Sequence, residues 1–504
     1  MGSPIPQAAL ALPEDLKQIL GGPLPHRFRA VAHPGGPRRE PMIPLTRRSL
    51  LWGAAAAGRA SASRGEKHLL LDPRIIERAE GVQLSPGKVQ KDTRNPLFRE
   101  DRPWEARFDN LYANVLFEER DKRFKCWYSP FIIDEAVSAT PREQRAAIPY
   151  KPRNREMGVC YAESKDGLLW TKPRLGLVEF SGSTSNNLVM RGPHGAGLWK
   201  DPREADPARR YKMFFRGNHS MAASFSPDGL HWSPPVELPE IQAVGDTHNN
   251  AFWAPELNRY VGITRLWDRA RRQRLVGRTE SPDFLKWTKA AEVLRALPEE
   301  THRQTYAMLG FRYANVYLGL LMMFNTDTDT VDCELAWSAD TMRWERVCPG
   351  EALIPRGPEG SYDSGCIYAA AYPLVYKGEI RLYYGGSNGK HTGWRDGFFC
   401  LARLRPDGFA GMEPARGFQA GALLTKPLRC SGAQLRITAD AAPGSVRVSV
   451  FQADGYSSRP ITGEVTDELV RWPDGKNFAA LRGQAIQLLF ELRSAKLYSF
   501  TFTG

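Results

Sequence analysis

The chain has 504 residues, 42% hydrophobic and 25% charged, a balance that excludes a largely disordered polymer and leaves room for several domains or one long repeat array. Its formal charge is +13, yet residues 1–62 hold eight Lys/Arg against three Asp/Glu and the remaining excess is spread without a basic stripe, which argues against nucleic acid as a partner. Nine His and seven Cys show neither CxxC nor HExxH spacing, so no metal site and no cofactor are expected.

Residues 1–41, rich in Pro, Gly and Arg, read as a disordered or mis-started extension, with Met42 as a conventional start. Residues 42–62 read as a twin-arginine export signal. Thr46-Arg47-Arg48-Ser49-Leu50-Leu51 supplies the paired arginines, Trp52 to Gly58 the weakly apolar run, and Ala60-Ser61-Ala62 the small-residue cleavage site. The expected location is therefore the periplasm or the exterior. Proteins exported this way are already folded, so Cys126, Cys160, Cys333, Cys348, Cys366, Cys400 and Cys430 are not expected to form a disulfide framework. No later run of about 18 apolar residues exists, and stable membrane insertion is not expected. Residues 63–90 read as a linker or lead-in.

From there one motif returns. Ser164-Lys-Asp166-Gly-Leu-Leu-Trp170 recurs from Ser226 to Trp232, from Ser281 to Trp287 and from Ser338 to Trp344, with a worn fifth copy at Arg405-Pro-Asp407-Gly-Phe409. The aspartates are 62, 55, 57 and 67 residues apart, the mark of a repeated supersecondary unit. Ahead of each copy lie two β-rich runs around a polar turn, such as Asn114 to Phe117 and Phe124 to Tyr128, or Ala251 to Trp253 and Tyr260 to Thr264. A third run ends in the motif and a short fourth follows it. Four antiparallel strands in each of five units predict an all-β fold, a five-bladed β-propeller over residues 91–420. The motif itself suits a tight turn between outer strands, since Asp can accept from nearby backbone N–H groups and Gly can take φ > 0. Four copies cannot share one active site, so its aspartates are structural. From about Gly421, runs such as Ser445 to Phe451 and Leu497 to Phe502 alternate apolar and polar residues, predicting a small C-terminal β-sandwich over residues 421–504.

A propeller's innermost strands line its central channel, so carboxylates at matched early positions of those strands can converge. Asp109, Asp246 and Asp363 stand about 15, 14 and 17 residues before the second strand of their own hairpins. The fourth unit offers Gln304 there, and the second offers His194. A polar ring with two or three carboxylates suffices for glycoside cleavage, which needs an acid at the leaving oxygen and a second carboxylate as nucleophile or base. Each of these aspartates is also ordinary turn text. Arg216 and Arg265 close the second strands of their hairpins on the same face and can hold substrate groups. His248 and Asn249 follow Asp246, and one of them should share its face.

With these residues in place, the chain from about residue 90 onward resembles the five-bladed propeller glycosidases that act on fructans and on arabinose- or xylose-containing glycans. The resemblance is strongest to uncharacterised proteins similar to family 32 glycosyl hydrolases. It implies Asp109 as nucleophile or base and Asp246 in the place of the third-blade acid. Two departures stand out: the WMNDPNG text is absent around Asp109, and Gly245-Asp246-Thr247 replaces a Glu-Cys acid motif. Lys200-Asp201-Pro202 superficially matches the Arg-Asp-Pro motif of those enzymes, but the hairpin register puts Asp201 at a far turn, as it does Glu256; both are weak alternatives. The expected function is an exported glycoside hydrolase acting on a terminal sugar, with carbohydrate as partner. The alternatives are a non-catalytic carbohydrate-binding propeller, a sialidase-like enzyme or a phosphorylase.

Overall fold

The four full copies of the Ser-x-Asp motif build one local structure. Ser164 Oγ accepts from the backbone N–H of Asp166 and Gly167, and Asp166 Oδ1 accepts from those of Leu168 and Leu169. The same bonds form around Ser226 and Asp228, Ser281 and Asp283, and Ser338 and Asp340. The residue after each aspartate is left-handed, with φ of 76°, 82°, 67° and 67° at Gly167, Gly229, Phe284 and Thr341. Glycine takes this shape without strain; Phe284 and Thr341 take it while fully buried. In the last three copies the tryptophan Nε1 donates back to the carbonyl of that left-handed residue.

Each of these turns joins the third and fourth strands of a meander in the computed structural model, which describes residues 65–504. The expected extension over 1–41 and export signal over 42–62 lie outside the described residues. The first meander comprises Asn114–Glu118, Arg123–Tyr128, Arg155–Ser164 and Trp170–Thr171. The second comprises His194–Lys200, Tyr211–Arg216, Met221–Ser226 and Val236–Leu238, and the third Asn250–Ala254, Arg259–Asp268, Gln273–Ser281 and Ala291–Leu294. The fourth comprises Arg303–Tyr313, Val316–Asn325, Thr330–Ser338 and Trp344–Val347. In the fifth, Cys366–Ala369, Glu379–Ser387 and Gly397–Leu404 pair in turn, and the outer strand comes from the other end of the described chain, as Gln90–Lys91 and Phe98–Arg99. Helix is almost absent: among the described residues the one α-helix is Glu135–Ser138, beside a few 3-10 turns.

Innermost strands are tied to one another by buried side chains. Asn114 Nδ2 donates to Ala196 O while its Oδ1 accepts from Leu198 N, and Asn250 bridges to both backbone groups of Gly310 in the same way. Ala371 N donates to Ala113 O, linking the fifth meander back to the first. At the far ends of these strands a second device repeats. Tyr211 Oη donates to Glu118, Tyr260 Oη to Asp201 and Tyr317 Oη to Glu256, each stapling one meander to the next.

Residues 410–503 do not stand alone. They form one nine-stranded sheet with Lys67–Leu69, Ile76–Glu80 and Val82–Pro86, the segment read from sequence as a linker. The sheet is nearly closed, because its two end strands, Ile76–Glu80 and Val82–Pro86, are joined by Gly81 alone. Those strands are mostly polar, with Glu77 and Arg78 exposed, which is why alternation did not reveal them. The C-terminal alternation does match burial: Val446, Val448, Leu488, Phe490, Leu497, Phe500 and Phe502 fill one core.

The fifth motif copy sits at the seam. Asp407 is left-handed (φ 60°) and its carboxylate accepts from Lys67, Tyr313, Thr438 and Ser499, at 2.5, 2.8, 3.2 and 2.6 Å. Its side chain joins the nine-stranded sheet to the fourth meander, whereas the other four aspartates brace the backbone of their own turns. All seven cysteines are free, and among the described residues no helix is long and apolar enough to cross a membrane.

Candidate active site

The opening ends of the innermost strands and the loops between second and third strands meet on one face. Asp109 and Asn110, which precede the first meander, lie beside Arg395, carried by the loop between the second and third strands of the fifth. Arg395 Nη2 is 2.6 Å from Asp109 Oδ1 and 3.0 Å from Asn110 Oδ1. Arg107 Nε approaches the same Asp109 oxygen at 3.3 Å but out of line for a hydrogen bond. Burial pushes the Asp109 carboxyl up, and the Arg395 and Arg107 guanidiniums outweigh it, holding the group below the usual carboxylate range. Asp109 is thus an ionised group in a buried, cationic socket.

Asn110 Nδ2 donates to Tyr112 and Tyr306 hydroxyls, both at 2.8 Å, which carries the site across the ring. Tyr112 lies edge-on to His194 and tilted against His248, with ring centroids 5.8 and 5.3 Å apart. His194 Nε2 stands 2.8 Å from Asp246 Oδ1, and Arg265 Nη1 stands 3.3 Å from Asp246 Oδ2. The His194 contact, with help from Arg265 and Arg274, holds Asp246 far below the usual carboxylate range. Although braced on both sides, the Asp246 side chain is 63% exposed, whereas that of Asp109 is 18% exposed. Asp246 therefore offers an accessible carboxylate over the ring.

Arg265 is fixed by donating to Tyr306 O from Nε and Nη2, and its guanidinium lies 4.4 Å from the Tyr306 ring centre. Arg274, on the paired strand, lies 5.5 Å from the same ring and donates to Gln304 Oε1 at 2.7 Å. Gln304 thus stands next to Arg274 at the edge of the ring. Arg216 pairs across its ladder with His194 and lays its side chain over Gly245, next to Asp246. Tyr368 from the fifth innermost strand contacts His391 Nδ1 at 2.8 Å, and His391 stacks edge-on to Tyr306 at 4.8 Å. Burial, with Arg395, Arg274 and Arg265 behind it, lowers the His391 imidazole to about 3, so it is neutral at ordinary pH.

Of the residues singled out from sequence, the structure brings together Asp109, Asp246, His194, Arg265, Gln304, Arg216 and His248. His248 is wholly buried and burial holds it down to about 3, so it is a neutral wall of the ring. Asn249 turns away, donating to the carbonyls of Gly195, Gly245 and Thr247 to fix the loop that bears Asp246. Asp363 also faces elsewhere: it is 1% exposed and accepts from Lys91 Nζ at 2.6 Å and Tyr384 Oη at 2.9 Å, toward the outer strands of its own meander. Asp201 lies past the opposite end of the strand that His194 opens. Seven residues at roughly 3.3 Å each put about 23 Å between them, far beyond any paired-carboxylate geometry. Glu256 occupies the equivalent turn in the third meander and is held by Arg312 and Tyr317.

Sequence reasoning missed Arg107, Asn110, Tyr112, Arg274, Tyr306, Tyr368, His391 and Arg395. Arg107 and Tyr306 sit two residues from positions already chosen, but Arg107 lies outside any strand and the strand of Tyr306 shifts register between Thr305 and Ala307, so alternation does not single them out. His391 and Arg395 belong to an irregular loop that carries no periodic signal. A further buried carboxyl, Glu100, accepts from Phe108 N and Gly397 N behind Asp109, and burial raises it to about 7. Among the described residues no cluster of three or more His, Cys, Asp or Glu is disposed to hold a metal ion.

No protein-family profile matches the chain, and no curated protein matches it. Solved structures with a partial likeness to it include an N-acetylgalactosamine deacetylase from F. plautii, at 15% identity over 64% of this chain and 96% of that one, with a TM-score of 0.40. Another is a β-1,2-mannobiose phosphorylase from Listeria innocua, at 12% identity over 63% and 97% of the two chains and a TM-score of 0.43. A thermostable family-43 glycoside hydrolase is similar at 11% identity over 58% and 89%, again with a TM-score of 0.43.

Proposed function

We propose that the five meanders are the blades of a five-bladed β-propeller, and that the ring at the opening ends of its inner strands binds and cleaves a terminal sugar of a glycan. In this reading the protein is an exported glycoside hydrolase, the nine-stranded sheet is an accessory domain, and Asp109 and Asp246 are the working carboxylates. The observation that carries it is the contrast among the acids. Glu118, Asp201, Glu256, Asp363 and Asp407 all staple structure together, whereas Asp246 keeps most of its side chain open to the ring. Trp267 adds an exposed aromatic face beside Arg274, 5.5 Å from its guanidinium, of the kind on which a sugar ring packs.

Asp109, ionised and clamped by two arginines, suits the nucleophile or base. Asp246 lies where the acid is needed, yet His194 and Arg265 favour its charged form. The ionised state of both carboxylates also supports a second reading, a propeller that binds sugar without cleaving it, since neither Asp109 nor Asp246 retains a proton at neutral pH.

A screen of aryl-glycosides and plant or algal oligosaccharides separates the two. Under the enzymatic reading a substrate is turned over and Asp246→Asn reduces kcat at least about a hundredfold, the scale of a lost acid–base group. Sugar binding without turnover, unchanged by Asp246→Asn, would sink it.

A further inference from the structure

The ring holds more positive charge than its own acids neutralise. Arg107, Arg265, Arg274 and Arg395 converge on Asp109 and Asp246, four guanidiniums facing two carboxylates. Farther out, Asp134 acts on Arg107 and Arg155 on Asp109, one charge of each sign. Arg216 adds a fifth cation beside Gly245, with no ion-pair partner among the described residues. Several of these donors are buried with nothing to bond: Nε and Nη1 of Arg107, Nε of Arg274 and Nε of Arg395. Buried, unpaired guanidinium N–H groups are unfavourable unless a ligand completes them.

The excess has a direction. In the third meander Arg265 pairs across the ladder with Val276 and Trp267 with Arg274, so Arg265, Trp267 and Arg274 share one face of the sheet. Arg265 and Arg274 are diagonal neighbours there, and both lie against the Tyr306 ring. Arg265 has Asp246 as counter-ion, but Arg274 has only the neutral Gln304 oxygen. Burial and the Arg265 charge together lower the Arg274 guanidinium from its ordinary value, outweighing the opposing pull of Tyr306 and Asp246. Exposed Trp267 lies at the same spot, so an anion there would be attached to something flat and partly apolar.

Resting on the glycan reading above, we propose that the sugar bound in this ring is acidic, carrying a carboxylate or sulfate oxyanion that Arg274 and Arg216 receive while its ring packs on Trp267. Arg265 stays committed to Asp246. The guanidinium fork suits such a group because it gives two parallel N–H donors to two oxygens.

The test is calorimetric binding of matched pairs to the whole protein: uronate-bearing and sulfated oligosaccharides against their methyl-esterified or desulfated counterparts, with inorganic phosphate as a separate arm. At least one acidic member is expected to bind ten-fold or more tightly than its neutral counterpart, with a preference that weakens as salt rises. Arg274→Gln is expected to bring that ratio close to one, and Arg216→Gln to reduce it by a few-fold. Arg216 bonds no acid, so its replacement leaves the fold intact and keeps the test valid if Arg274→Gln folds poorly. Equal binding of acidic and neutral sugars, or a preference unchanged in both variants, overturns the acidic-sugar inference and leaves the glycan reading standing. Phosphate binding with neutral sugars preferred overturns it too, assigning the arginines to a free anion. If no sugar of either kind binds, the glycan reading falls and the inference with it.

Discussion

Asp407→Ala is expected to lower the unfolding free energy by about 3–5 kcal/mol, the cost of breaking a buried charge network by removing one partner. The carboxylate is 1% exposed and accepts from groups on four separate strands. Without it, Lys67 Nζ keeps only the half-exposed Asp467 as partner, and the hydroxyls of Tyr313, Thr438 and Ser499 lose a shared acceptor. Urea unfolding measures the loss, and the sign of its pH dependence follows from the same contacts. Burial raises the Asp407 carboxyl, but Lys67 and the hydroxyls outweigh it, so its native pKa lies below its unfolded value. The stabilisation is therefore fully present above about pH 5 and disappears as pH falls through the native pKa, where wild type and variant should converge. Because Asp407 links the nine-stranded sheet to the fourth meander, the variant is also expected to split one unfolding transition into two.

Asp109→Asn is the second large effect, and it acts on stability and turnover together. Arg395 is 0% exposed and Arg107 is 3% exposed, so a neutral amide leaves two buried guanidiniums facing each other without a counter-ion. About 3–5 kcal/mol of stability should go, along with roughly a thousandfold or more in kcat/KM for the substrate found by screening. A double-mutant cycle separates the two losses. Adding Arg395→Gln to Asp109→Asn removes one stranded cation and should recover part of the stability while recovering no activity. If both return, Asp109 serves the fold and the chemistry lies elsewhere.

The repeat made much of this legible. The Ser-x-Asp turns fixed the register of the meanders, and register alone led to Asp109, His194 and Asp246, which are at least 52 positions apart; Asn110 beside Asp109 bonds Tyr112, Tyr112 packs on His194, and His194 reaches Asp246. Distance along the chain from a strand gives height on that strand, but it does not give the direction of the side chain. Asp363 has nearly the same offset as the other two and points outward to Lys91 and Tyr384. Nor could pattern reveal the closing strand of the fifth meander, since Gln90–Lys91 and Phe98–Arg99 are two residues each. Strands so short have no period to read. The arginines that set the charge of the ring were equally hidden: Arg395 comes from an irregular loop, and Arg274 is one of three arginines between residues 271 and 274, told apart only by which of them faces Tyr306.

The working ring at Asp109 and Asp246 is tested most directly by a crystal structure of the Asp246→Asn variant soaked with the oligosaccharide that the screen identifies. The account predicts a terminal sugar seated among Tyr112, Tyr306 and Trp267, its glycosidic oxygen within hydrogen-bond reach of position 246 and its anomeric face toward Asp109. A sugar bound on the outer strands, at the Ser-x-Asp turns or only on the nine-stranded sheet, with the ring left empty, would contradict it.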